Sequence, residues 1–308
     1  MALLEVKNLK VYYPIRGGIL SRVRGYVKAV DDVSFTIEPG QTVGLVGESG
    51  SGKSTTGKAI LGLEPLAGGT IHFNGEDITK YIGKNRSNYR KDVQMIFQDA
   101  YASLNQRKRV LDIIAEPIRN FDKLTPGEER KRVDELLSIV GMPATAAVKY
   151  PFEFSGGQRQ RLGIARAIAL KPKLIVADEP VSALDLSVQA QVLNYLKQIQ
   201  QELKLAYLFV SHDLGVVKHM CENLVIMHNG RFVEVGTRDE IFNDPKHIYT
   251  RRLIAAIPDT DPDKRIENAE RRQELIEYFD KRYDRYYGEG GKVYDLKKLS
   301  DTHYVARP

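Results

Sequence analysis

A glycine-rich segment at residues 47–55, GESGSGKST, constrains the fold of this chain more than any other feature of its sequence. The spaced glycines allow the backbone to curl so that its N–H groups point inward, an arrangement that binds the phosphates of a nucleotide. An apolar run at residues 42–46 precedes the segment, and residues 53–63 have helical composition. Because strand, loop and helix follow in the order that a phosphate-binding loop requires, we predict an α/β fold that binds a nucleoside triphosphate.

The side chains of this phosphate loop support the same prediction. Lys53 adds a mobile positive charge beside the phosphates, and Ser54 offers a hydroxyl group to Mg²⁺. A glycine-rich turn without a ligand is the alternative, and the flanking strand and helix disfavour it. The candidate nucleotide-binding residues are Gly47, Glu48, Ser49, Gly50, Ser51, Gly52, Lys53, Ser54 and Thr55.

A second apolar run, residues 174–177, ends in the acidic pair Asp178 and Glu179. A buried strand here would bring Asp178 to the edge of the sheet, where its carboxylate can hold the hydration shell of Mg²⁺. Glu179 can polarise a water molecule for in-line attack on the γ-phosphate. An acidic pair after a strand can also cap a helix, so the hydrolytic interpretation depends on the phosphate loop upstream.

Residues 154–158, FSGGQ, precede an arginine-rich helical stretch and predict a second anion site. The N–H groups of Ser155, Gly156 and Gly157 would lie at the N-terminus of that helix, where the helix dipole favours an anion. One bound triphosphate does not obviously need two such sites. The segment resembles the LSGGQ-type signature of the ATP-binding cassette (ABC) ATPases, with Phe154 at its first position.

Further motifs of that family follow in order. Gln98 matches the Q-loop glutamine, residues 182–185 match the D-loop, and His212 matches the switch histidine. Tyr13 matches the aromatic residue that stacks on adenine, although Tyr12 is adjacent and an alternating strand would send the two rings to opposite faces. The resemblance implies ATP and Mg²⁺ as cofactors and catalysis by Glu179, His212, Gln98 and Lys53. It also implies further nucleotide contacts from Ser155, Gly156, Gly157, Gln158 and Asp185. The implied metal ligands are Ser54, Gln98 and Asp178.

The fold that the resemblance implies is a P-loop NTPase core of the ABC ATPase type. It has a parallel sheet, an antiparallel β subdomain, a helical insertion subdomain at about residues 101–157 and a C-terminal appendage. The resemblance covers about residues 1–258, which we assign to the cassette, and residues 259–308 form a family-specific extension. Longer matches at residues 16–35, 150–170, 178–194 and 244–258 resemble the oligopeptide/dipeptide/nickel importer ATPases, most closely their second ATPase subunit.

Two departures from that family pattern are visible. Ile248 stands where the family usually has proline after the histidine, and the C-terminal cysteine cluster of some relatives is absent. Because Cys221 is the chain's single cysteine, we expect neither a disulfide within the chain nor an iron–sulfur cluster.

Local patterns predict how the elements are arranged along the chain. Residues 4–13 and 30–38 alternate like strands, and the basic segment between them is interpreted as a hairpin connection or flap. Asn74-Gly75 and Asn229-Gly230 predict two type I′ hairpins. A capped helix is expected from Thr125 to about Gly141, and helices at residues 157–170 and 187–203 alternate with strands at 173–177 and 206–210.

The C-terminal segment is the least specific part of the sequence. Residues 264–287 are highly charged and helical in pattern, with Ile266, Leu275, Ile276 and Phe279 as apolar anchors. We interpret the segment as a solvated helix docked on the cassette, with a partner-binding arm as the alternative. Truncation after Pro258 is expected to leave ATP binding intact but to weaken assembly with the partner. Its nearly balanced charge disfavours nucleic acid as a partner.

The chain is therefore expected to be the ATP-hydrolysing subunit of an importer for oligopeptides or dipeptides, with oligosaccharide or nickel import as alternatives. No apolar run reaches the ~18–20 residues of a spanning helix, so we expect a peripheral protein at the cytoplasmic face of the cell membrane. The resemblance implies a second, non-identical ATPase subunit, two transmembrane permease subunits and an extracellular solute-binding protein. A P-loop kinase would leave FSGGQ and His212 unexplained, and a DNA-maintenance ABC ATPase would need a long coiled-coil arm that the sequence lacks.

Overall fold

The computed structural model describes residues 1–17, 21–81, 87–257, 273–274, 276–279 and 281–308. The chain forms two compact units. The first contains residues 1–37, 42–83 and 210–308, and the second contains residues 38–41 and 84–209. None of the helices in the described part of the chain combines the length and apolar composition that crossing a bilayer requires.

A long antiparallel hairpin opens the first unit. Strand β1 (Leu4–Gly17) pairs with β2 (Arg22–Ile37) along its whole length, from Leu4 opposite Ile37 to Gly17 opposite Arg22. The sequence-based prediction of a connection over residues 14–29 was therefore wrong. Val23, Tyr26 and Val27 continue the strand there, because β-branched and aromatic residues favour pairing even beside arginines. The connection falls at residues 18–21, of which 18–20 lie outside the described residues.

The antiparallel β subdomain is completed by a short hairpin. Strand β4 (Gly68–Phe73) pairs with β1 and with β5 (Glu76–Asp77), which gives the order β2-β1-β4-β5. Asn74 and Gly75 have φ of 50° and 78°. This left-handed backbone suits a type I′ turn, so the predicted hairpin is confirmed.

The strand that leads into the phosphate loop is β3 (Thr42–Val46), which is buried throughout and runs parallel to β9 (Asn223–His228). Strand β10 (Arg231–Thr237) returns antiparallel to β9 through the predicted Asn229-Gly230 turn. The order continues β3-β9-β10-β12-β11 with β12 (Tyr304–Ala306) and β11 (Leu296–Lys298).

Four helices of the first unit, numbered in chain order with those of the second, are α1 (Lys53–Ile60), α8 (Leu214–Met220), α9 (Arg238–Asn243) and α10 (Ile248–Ala255). Helix α1 ends three residues earlier than predicted, since Gly62 adopts φ of 71°.

The C-terminal segment departs from a simple helical arm. Residues 273–274 and 276–279 are helical and a one-turn helix covers Tyr283–Tyr286, but the chain then forms β11 and β12, which the sequence pattern did not predict. Each strand has only three residues, too few for a period of two to be recognised. Ile266, Leu275 and the assigned domain boundary at residue 258 lie outside the described residues.

The second unit contains the predicted helical insertion. Helix α6 (Gly156–Ile168) packs against α3 (Ala100–Ser103), α4 (Val110–Phe121), α5 (Pro126–Ile139) and α7 (Leu186–Leu203). Thr125 and Glu128 form the expected capping box, and Gly141 lies just beyond the C-terminus of α5 with φ of 66°. The remaining elements are α2 (Ser87–Asp92), β6 (Val93–Ile96) and β7 (Leu174–Asp178), while β8 (Ala206–Ser211) crosses the boundary between the units.

Candidate nucleotide-binding and hydrolytic site

The phosphate loop follows the carboxyl end of β3, and at two of its positions there is room only for glycine. A Cβ atom on Gly47 would lie 2.2 Å from the carbonyl oxygen of Met227, and one on Gly52 would lie 2.2 Å from that of Ala29. Gly52 also has φ of 108°, which side chains rarely tolerate. The backbones of β2 and β9 therefore hold the loop closely from behind, and larger residues at these positions would displace it.

The charged and polar side chains of the loop are buried with it. Lys53 is only 4% exposed, and its ammonium group donates a hydrogen bond of 2.8 Å to the carbonyl oxygen of Glu48. Ser51 is buried as well, and its Oγ has no hydrogen-bond partner among the described residues. The N–H groups at the start of α1 have no preceding helical turn to accept them. A curled backbone, a helix N-terminus, an ammonium group and an unpaired hydroxyl together fit a polyphosphate.

The two candidate tyrosines have different surroundings. The hydroxyl of Tyr12 donates to Asp31, and burial together with this bond raises its pKa to about 12. Tyr13 lies near Glu64 and near Thr55, the last residue of the phosphate loop, and burial raises its pKa. The structure therefore places Tyr13 beside the loop, and its stacking on adenine stays a prediction.

In the second unit, two predicted catalytic residues meet. Strands β6 and β7 are parallel and pair Ile96 with Ala177, so that the segments that follow them leave at the same edge. There the Gln98 side-chain amide donates a 2.8 Å hydrogen bond from Nε2 to Oε2 of Glu179. Glu179 adopts φ of 47°, an uncommon backbone conformation for a residue other than glycine and one that is enriched at functional sites.

Asp178 is the last residue of β7 and is only 5% exposed. Its carboxylate follows a strand whose other residues are apolar. Among the described residues, no group of three or more His, Cys, Asp or Glu side chains forms a metal cage. Ser54, Gln98 and Asp178, the predicted Mg²⁺ ligands, all offer the oxygen atoms that this ion prefers. Gln98 uses its nitrogen for Glu179, which leaves its amide oxygen for a metal.

Two residues of the signature segment, Ser155 and Gln158, cap the N-terminus of α6 by bonding to each other. Ser155 N–H donates to Gln158 Oε1 at 3.0 Å, and Gln158 N–H donates to Ser155 Oγ at 3.4 Å. Of the predicted anion-binding N–H groups, that of Ser155 is therefore already engaged, while those of Gly156 and Gly157 lie in the first turn. Ser155 and Gly156 are exposed, whereas a Cβ on Gly157 would lie 2.3 Å from Val188 Cγ1.

The remaining candidates lie at element ends. His212 is exposed directly after β8, and Asp213 caps the following helix by accepting from the N–H of Gly215 at 2.8 Å. Asp185 is the N-cap residue of α7 and is exposed. By unit, the first contains Tyr13, Lys53 and His212, and the second contains Gln98, Asp178, Glu179, Ser155 and Asp185.

Two residues near the phosphate loop were missed by the sequence reasoning. Arg252 in α10 pairs with the carboxylate of Glu48 at 2.7 Å, and the Tyr249 hydroxyl accepts a 2.9 Å hydrogen bond from the Glu48 N–H. Both lie in the segment at residues 244–258 that carried the narrower family resemblance. Nothing in that segment identifies Glu48 as their partner.

Tyr249 belongs to an aromatic cluster, which we define as His228, His247, Tyr249, Phe279, Tyr283, Tyr286 and Tyr287. Burial lowers the pKa of His247 to about 3 and, with the charge of Arg252, that of His228 to about 4. Both histidines are therefore neutral at physiological pH.

We expect the free energy of unfolding to fall between pH 7 and pH 4 by about 3 kcal/mol for each of these histidines. Their folded pKa values lie below the ordinary value of 6.5, so the unfolded chain binds more protons as the pH drops through this window. Urea denaturation at several pH values gives the free energy of unfolding at each pH. A plot of this free energy against pH should have a shallower slope for His247→Asn than for the parent chain. The exposed His219→Asn is the control, and equal slopes for His247→Asn and the parent would contradict the prediction.

Comparison with known proteins places these features in context. Residues 30–182 match the ABC transporter family, and residues 233–288 match the oligopeptide/dipeptide transporter C-terminal region. The chain is 58% identical over 306 residues to the oligopeptide transport ATP-binding protein OppF of Lactococcus lactis, an alignment that covers 99% of this chain and 96% of that protein. It is 48% identical over 259 residues to the oligopeptide transport ATP-binding protein AppF of Bacillus subtilis, covering 84% and 79% of the two chains.

Solved structures agree with the fold. The ATP-binding cassette MJ0796, in a dimeric post-hydrolysis state bound to ADP and Pi, superposes with a TM-score of 0.67 at 26% identity, covering 76% of this chain and 98% of that one.

Proposed function

The chain belongs to the ABC transporter family of ATP-binding proteins, and on that premise we propose that it powers the uptake of oligopeptides or dipeptides through a membrane importer. The observation that carries the proposal is the full-length identity of 58% to an oligopeptide transport ATP-binding protein. The match of residues 233–288 to the oligopeptide/dipeptide transporter C-terminal region supports it independently of the ATPase motifs.

The chain hydrolyses ATP, and we assign ATP binding to the first unit. The phosphate loop offers inward N–H groups and the Lys53 ammonium to the triphosphate, and Tyr13 stacks on the adenine ring. Binding would draw Lys53 from the Glu48 carbonyl to the more strongly negative phosphate oxygens.

For hydrolysis we propose Glu179 as the group that polarises the attacking water. Its hydrogen bond from Gln98 holds the carboxylate in a fixed orientation, so Gln98 positions the base. His212 acts as a hydrogen-bond donor to the γ-phosphate. Ser54, Gln98 and Asp178 would hold Mg²⁺, which supplies positive charge that stabilises the phosphate oxygens.

We further propose that the chain works as one of a pair of ATPase subunits. The relative MJ0796 is described as a dimer, and exposed Ser155 and Gly156 are accessible to a second subunit. Each signature segment, with Asp185, would complete the ATP site of the partner. The partner is a similar, non-identical ATPase subunit, and the pair sits at the cytoplasmic face of the membrane beneath two permease subunits, with an extracellular solute-binding protein delivering the solute.

The proposal is tested by transport in proteoliposomes that contain the four subunits and the solute-binding protein. We expect uptake of a labelled oligopeptide that requires ATP, and no uptake when this chain is omitted. A labelled oligosaccharide and Ni²⁺ serve as competing probes. Uptake of either probe without uptake of the peptide would overturn the assignment of the solute while leaving the ATPase role in place.

A further inference from the structure

Glu48 of the phosphate loop is held through its N–H, its carbonyl and its side chain at once. The N–H donates a hydrogen bond to the Tyr249 hydroxyl, and the carboxylate pairs with Arg252. The carbonyl oxygen accepts a hydrogen bond from the Lys53 ammonium group. Glu48 therefore connects the ATP-binding lysine to α10, which lies more than 200 residues further along the chain (separations of 201 for Tyr249 and 204 for Arg252). All of these residues belong to the first unit.

The C-terminal segment packs against Arg252 of α10. The Arg252 guanidinium lies 4.4 Å from the centre of the Phe279 ring and 5.3 Å from that of Tyr249. Phe279 is buried, and its ring meets Tyr283 and Tyr287 edge to face. A guanidinium packed between aromatic rings has few orientations available, so its hydrogen bond to Glu48 costs little side-chain entropy.

We propose that Arg252 and Tyr249 are positioning residues that fasten the phosphate loop to the C-terminal segment and thereby strengthen ATP binding. They fix the N–H and the side chain of Glu48, and with them the path of the loop backbone that leads to Lys53. A loop ordered before the nucleotide arrives does not have to be ordered during binding, which improves affinity. The inference rests on the ATP-binding role of this chain and not on the identity of the transported solute.

The salt bridge itself gives no reason to expect a large effect on folding. Glu48 is half exposed and Arg252 a quarter exposed, and ion pairs in such positions contribute little to stability. Tyr249 is fully buried, and its hydroxyl has the Glu48 N–H as a partner. Loss of these bonds should therefore change the loop more than the fold.

The experiment measures the equilibrium dissociation constant of the full-length chain for ATP, by competition with a fluorescent ATP analogue. Arg252→Ala should weaken ATP binding about fivefold, the size expected for one partly exposed charge-assisted hydrogen bond. Arg252→Lys keeps the charge and should recover part of the loss. Arg251→Ala is the matched control, because Arg251 is the exposed neighbour on α10 and bonds to the Pro245 carbonyl rather than to the loop.

A double-mutant cycle separates positioning from a general structural effect. If Arg252 acts through Glu48, the double variant Glu48→Ala, Arg252→Ala should lose no more ATP affinity than either single variant. Tyr249→Phe should weaken binding, whereas Tyr287→Phe should not, since the Tyr287 hydroxyl has no hydrogen-bond partner among the described residues. Additive losses, or equal affinity in Arg252→Ala and Arg251→Ala, would overturn the proposal. Without nucleotide, the Arg252→Ala and Arg251→Ala variants should have the same thermal unfolding temperature. A failure of peptide transport would not affect the measured ATP affinities, so it would not count against this proposal.

Discussion

Replacing Glu179 by glutamine is expected to leave ATP binding intact and to slow steady-state hydrolysis by about 10²–10⁴-fold. Glutamine has nearly the same shape, and its amide oxygen can still accept the hydrogen bond that Gln98 donates to Glu179 at 2.8 Å. It carries no negative charge and cannot take a proton from the attacking water. The substitution therefore removes the proposed base with little change in geometry.

The rate is best measured as phosphate release by the chain assembled with its membrane subunits, at saturating ATP. Glu202→Gln, an isosteric change on the exposed side of α7, is the control for the loss of one carboxylate. Turnover equal to that of the control would remove Glu179 from the mechanism, and a loss of ATP affinity would indicate a binding role instead.

Features set by local chemistry were predictable from the sequence. The phosphate loop, both Asn-Gly turns and the Thr125 cap each depend on residues within about nine positions, and each formed as expected. The family resemblance named Gln98 and Glu179 as catalytic residues but did not predict their hydrogen bond. That bond joins residues 81 apart and follows physically from two neighbouring parallel strands. Residue type and spacing along the chain thus suffice where the backbone itself determines the geometry.

Features that depend on long-range pairing were not predictable. The arginines and glycines between residues 14 and 29 suggested a loop, but pairing with a neighbouring strand outweighed those weak local signals. The contact between Glu48 and Arg252 joins residues 204 apart that carry no shared motif. The proposed role of Arg252 differs from one expectation made from the sequence, because a C-terminal segment that packs against Arg252 should affect ATP binding and not assembly alone. The survival of ATP binding after truncation stays a prediction.

Lys53→Ala is expected to weaken ATP binding by the isolated chain at least about 10²-fold, because it removes the charge that the buried loop presents to the triphosphate. Lys58→Ala, on the last turn of the same helix, controls for loss of a lysine from α1. Titration with a fluorescent ATP analogue gives the affinity of both variants. Binding by Lys53→Ala equal to that of the control would refute the assignment of the loop.

Ser155→Arg should give the opposite pattern, with ATP binding by the isolated chain retained and ATP-dependent pairing with the second subunit lost. Ser155 begins α6 at an exposed position, and a long charged side chain there would obstruct the surface offered to the partner's nucleotide. Light scattering with and without ATP measures the pairing. Because Lys53 would act on the nucleotide of its own chain and Ser155 on that of the partner, the two substitutions should disable different ATP sites of the pair. If the Ser155 variant alone fails to bind ATP as a monomer, the signature segment serves its own chain and the composite site is wrong.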